Sequence, residues 1–107
     1  MEQDKVILSP LAKKKLRDLF EVLIYKSYFS YVENADNYVE ALRRFMYDIP
    51  NHKHYPTINK TYGSWYCKHR VNNHTTWYVT FDTMGKNYVV KNLFNNHTKD
   101  YPAIIKG

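Results

Sequence analysis

The chain has 107 residues, 44% of them apolar and 24% charged, which is the composition of a single folded domain and excludes a disordered or fibrous protein. A lone cysteine, Cys67, excludes an internal disulfide, and no apolar run approaches the roughly 18 residues that a membrane-spanning helix needs. The net charge of +6 is unevenly placed: residues 1–50 hold eight Lys/Arg and eight Asp/Glu, whereas residues 51–107 hold eight Lys/Arg against only Asp82 and Asp100. All five histidines also lie in this second half, so a polyanion met by one part of the fold is expected.

"KVILS" (5–9) is short, apolar and rich in β-branched residues, and it predicts a strand. Ser9 followed by Pro10 is a helix start, a capping side chain and then a proline at the first helical position. Ala12, Leu16, Leu19, Phe20 and Leu23 share one helical face, opposite Lys13, Lys14, Arg17, Asp18 and Glu21, so an amphipathic helix runs to about Tyr25. "SYVE" (30–33) has the form of a capping box, and behind it Ala35, Tyr38, Val39, Leu42, Phe45, Met46 and Ile49 repeat at three-four spacing until Pro50. A short connection makes the two helices an antiparallel hairpin.

"NHKHYPTINKTYG" (51–63) is polar, contains Pro56 and Gly63, and reads as a loop. "WYCKHRV" (65–71) alternates as a strand does, with Tyr66, Lys68 and Arg70 on one side and Trp65, Cys67, His69 and Val71 on the other. "TWYVTFD" (76–82) and "YVVKNLF" (88–94) follow after short turns and complete an antiparallel meander. The order β-α-α-β-β-β predicts an α+β fold of one domain, residues 1–107. In it a helical hairpin packs on one face of a small, mainly antiparallel sheet and leaves the other face open.

The His52/His54 and Cys67/His69 pairs are too sparse for a metal site, no glycine-rich phosphate loop exists, and no metal or cofactor is expected. Lys68 and Arg70, two apart on one strand, project from one face and can hold phosphate, with Lys91 joining them if its register turns it the same way. His54 and Lys60 in the loop and Lys99 in the tail are further candidates for RNA contact. In the tail "NHTKDYP" (96–102), His97 and Tyr101 are four apart: an imidazole that can pass a proton, and a ring that can stack on a base. Cations, histidine and tyrosine together are the groups with which a metal-free ribonuclease deprotonates a 2′-hydroxyl, steadies a phosphorane and protonates the leaving oxygen.

Four stretches in this order resemble the RelE/ParE superfamily, toxins of bacterial type II toxin–antitoxin pairs: "VILSPLAKKKLRDL", "ENADNYVEALRRFMYDIP", "WYCKHRVNNHTTWYVTFDTMGKNYVV" and "LFNNHTKDYP". The resemblance spans nearly the whole chain. It implies a toxin that cuts mRNA on the ribosome and so inhibits translation, in the reducing cytoplasm that the lone cysteine already suggests, with a small, acidic cognate antitoxin covering its basic face. In the ribonuclease branch it gives Arg70, Lys68, His97 and Tyr101 the catalytic positions, and His54 matches loosely a loop histidine of some members. The ParE-like branch shares the fold and poisons DNA gyrase instead. Its tails carry arginines, which this tail lacks, so the residues lean toward the nuclease. A non-toxic RNA- or protein-binding module of the same fold is the third reading.

Overall fold

A computed structural model describes residues 5–25, 32–98 and 104–105. Five strands form one mixed sheet in the order β1-β5-β4-β3-β2: β1 (Lys5–Leu8), β2 (Tyr55–Pro56), β3 (Trp65–Arg70), β4 (Thr76–Met84) and β5 (Asn87–Asn95). β1 runs parallel to β5 and the other neighbours are antiparallel. The two helices, α1 (Pro10–Tyr25) and α2 (Val32–Tyr47), pack on one side of it. The architecture is α+β, as the element order predicts, with the two-residue β2 added at one edge.

Ser9 makes the β1–α1 junction. Its backbone N–H donates to the Val90 carbonyl, its hydroxyl accepts from the Ala12 N–H at 3.1 Å, and the same hydroxyl donates to the Lys91 carbonyl. One residue thus starts the helix and ties it to β5. The capping reading of "SYVE" rests on Ser30, outside the described residues. From the helices Ala12, Leu16, Ala35, Leu42 and Met46 close on Cys67, Val79, Phe81 and Val90 of the sheet, all of them buried. Trp77 reaches from β4 to donate its indole N–H to the Tyr38 hydroxyl at 2.8 Å.

The segment 51–63 is more ordered than a polar loop. One 3-10 turn, Ile49–Asn51, leads into it and another, Lys60–Tyr62, follows β2 within it. Thr57 donates to the Gly63 carbonyl, Lys60 donates to the carbonyls of Thr57 and Ser64, and the Ser64 N–H donates to the Asp82 carboxylate. The pairing of β4 with β5 also slips: Phe81 faces Val90 but Thr80 faces Asn92, which leaves Lys91 as the extra residue of a β-bulge.

The face away from the helices is not fully open. Ile104 is buried there against Tyr78 and Phe94, with Ile105 and Tyr66 beside them, and the Ile104 carbonyl accepts from the Ile58 N–H at 2.9 Å. Ile104 and Ile105 therefore fill part of the face that the element order alone leaves bare. Among the described residues no helix is long and apolar enough to cross a membrane.

Candidate nucleic-acid interface

Strand alternation places Tyr66, Lys68 and Arg70 of β3 on the face away from the helices, and the register extends that face sideways. Tyr55 pairs with Tyr66, Lys68 with Tyr78, and Tyr78 with Phe94. Across four strands this makes an aromatic row. Tyr55 stacks on Tyr66 with ring centroids 5.3 Å apart, Tyr66 meets Tyr78 edge-on at 5.7 Å, and Tyr78 stacks on Phe94 at 5.7 Å. Lys68 carries its ammonium 4.9 Å from the centre of the Tyr55 ring, and Lys53 carries its own at 5.3 Å from the same ring. The result is a basic and aromatic patch at the β2–β3 edge.

Arg70 stands one residue pair further along, but its guanidinium is engaged with its own turn. Nε donates to the Asn72 carbonyl at 3.1 Å and an Nη to the Asn73 side chain at 2.9 Å. Both contacts are exposed and local, so a phosphate can compete for them without disturbing the core. Lys68 is exposed as well.

His97 lies at the same end of the sheet, just past β5. Its N–H donates to the Asn95 side chain, and Nε2 sits 3.2 Å from the Thr75 hydroxyl on the β3–β4 turn. Asn96 secures this junction by accepting from the Thr76 N–H and donating to the His74 carbonyl. The exposed imidazole lines a hollow of about 480 Å³ bounded by Leu19, Val22, Tyr38 and Trp77, on the helical side. The structure thus brings Lys68 and Arg70 to one face and sets His97 at the shared end, around the rim from them. Tyr101 and Lys99 lie outside the described residues.

Three other candidates have different surroundings from those the composition suggests. Lys91, exposed at the bulge, is separated from Lys68 by the whole of β4. Lys60 holds its ammonium on two backbone carbonyls and braces the loop. His54 is partly buried, its Nε2 3.0 Å from the Ile49 carbonyl and its ring edge-on to Phe81 and Tyr88. These contacts make it a packing residue of the helical face.

The remaining reactive groups are also structural. Burial pushes the Cys67 thiol up to about 12, which removes it as a nucleophile near neutrality. His69 is held below the ordinary histidine value by burial and, second, by the neighbouring His52. Among the described residues no group of three or more His, Cys, Asp or Glu is placed to hold a metal ion. The signal missed in the sequence was Tyr55 with Lys53. A two-residue strand ending in proline has no periodicity to detect, and only the pairing with Tyr66 reveals it. No family model, curated protein or solved structure matches this chain.

Proposed function

We propose that this chain is the toxin of a type II toxin–antitoxin pair, with a RelE/ParE-like topology, and that it cleaves ribosome-bound mRNA without a metal. The observation that carries the reading is the patch of Lys68, Tyr66, Tyr55 and Lys53, on the face away from the helices and inside the half of the chain that holds the whole charge excess. Cations beside flat rings suit a single-stranded RNA, whose phosphates and unstacked bases they address together. Arg70 and Lys68 neutralise the phosphate at the cut, His97 transfers the proton, and Tyr101 belongs to the same tail. A small acidic antitoxin is the partner whose charge complements this face.

Induced expression with mapping of mRNA 5′ ends tests the reading. Growth should arrest and new 5′ ends should appear within translated frames. In single-turnover assays His97→Ala should lower cleavage by roughly 10²–10⁴-fold, the usual worth of a positioned proton transfer. The fold should survive, because His97 is exposed. Arrest with intact mRNA and gyrase-dependent DNA breaks would replace the nuclease with a gyrase poison. RNA binding with neither effect would leave a non-toxic binding module.

A further inference from the structure

The aromatic row is divided in two. Tyr78 and Phe94 are roofed by Ile104 and form a small buried cluster, against which Tyr66 also packs. Tyr55 lies at the far end, half-buried, on the edge strand, backed by the Tyr66 ring at an interplanar angle of 23°. The two ammonium groups near its ring belong to exposed lysines reached from different directions, Lys53 from the preceding segment and Lys68 from β3. Exposed cation–ring contacts are weak and readily exchanged. The neighbouring Pro56 lacks an N–H, so this edge is poorly suited to adding a partner strand, and its side chains are what it offers to a ligand.

We propose that Tyr55 is a stacking seat for one unpaired nucleobase of a single-stranded RNA, with Lys53 and Lys68 taking the phosphates on either side of it. A stacked ring held from behind by a second ring is pre-oriented, which lowers the ordering cost of receiving a base. A duplex cannot use it, since its bases are already stacked. An acidic protein would use the lysines and leave the ring idle. The seat deepens the RNA-directed reading above and rests on it for the identity of the strand, yet it requires no cleavage.

The test is fluorescence anisotropy of the full chain with a short labelled oligoadenylate RNA, an abasic RNA of equal length and the matching duplex, across a salt series. Tyr55→Phe should bind the oligoadenylate as the unaltered protein does, and Tyr55→Ala should bind about tenfold more weakly with an unchanged salt slope. Lys53→Ala and Lys68→Ala should each reduce the slope of log K against log salt by about 0.7, one phosphate of a single strand. The abasic RNA should bind the unaltered protein as weakly as oligoadenylate binds Tyr55→Ala. Equal binding of abasic and oligoadenylate RNA, or a preference for the duplex, overturns the seat. The abasic comparison needs no variant, so a misfolded Tyr55→Ala cannot obscure the answer. Stacking that persists in a protein that cuts no mRNA in cells supports the seat and removes only the nuclease. Cleavage without a base requirement at this patch does the reverse.

Discussion

Phe45 is held between two imidazoles, His52 at 4.6 Å and His69 at 4.8 Å between ring centroids, where the end of α2 meets β3. His52 is in turn 3.0 Å from the Asp48 carboxylate, so the histidine that acts on His69 has an acidic partner of its own. Because burial and then His52 lower the His69 value from 6.5, the unfolded chain takes up this proton before the folded one does. Stability from this residue is therefore complete above the unfolded value and is lost as pH falls through it toward the lower folded value. His69→Phe keeps a ring against Phe45 and removes the titration. Urea unfolding at about pH 7.5 and about pH 5.5 should show a smaller acid loss for His69→Phe than for the unaltered protein. An identical loss in both would assign the acid sensitivity to other groups. The same geometry explains why five histidines in the basic half do not amount to five functional groups: His54 and His69 pack on rings, and His52 pairs with a carboxylate.

At the scale of elements, the segment joining α2 to β3 decides where Tyr55 stands, and Gly63 is its tightest point. Its φ is +129°, and a methyl group there would meet the Phe81 backbone nitrogen at 2.8 Å. Gly85, in the β4–β5 turn, also has a positive φ of +62° but faces open space. Gly63→Ala combines backbone strain with a clash against a buried strand and should lower the unfolding free energy by about 1–3 kcal/mol, more than Gly85→Ala does. Equal losses in a urea titration would mean that φ alone, and not the approach to β4, governs both sites. The longer elements were legible because periodicity and capping agree: Ser9-Pro10 starts α1, Pro50 follows α2, and the alternation through Cys67, Lys68, His69 and Arg70 assigns their faces correctly. What stayed hidden has local causes. β2 is too short to show a period, and the bulge at Lys91 hides its register because Val89 and Val90 blur the alternation. The inward roles of Lys60 and His54 depend on backbone carbonyls, which residue identity does not report.

Over the whole molecule the charge asymmetry becomes a spatial one. The balanced half supplies β1 and the helical side, and the basic half supplies β2 to β5 and residues 104–105 on the opposite face. Ile104 and Ile105 are thereby part of the fold, where residues beyond the last strand would ordinarily contribute little to the core. Ile104 is only 1% exposed, and it covers Tyr78 and Phe94, which would otherwise face water in the middle of a basic surface. The cluster is separate from the main core between helices and sheet, so its loss should weaken the domain without unfolding it. Ile104→Ala should cost about 2 kcal/mol, the low end for truncating a buried aliphatic side chain, because a site near the surface relaxes more easily than a deep one. Ile104→Val, which removes one methyl group, should cost less than half as much. Ending the chain before residue 104 should cost at least as much as Ile104→Ala, since it also removes the carbonyl that accepts from Ile58. These differences are read from urea midpoints with the slope of the transition held common to all the variants. Unaltered midpoints for Ile104→Ala and for the shortened chain would show that the aromatic row stands uncovered in solution, and the division between its roofed and ligand-facing halves would then disappear.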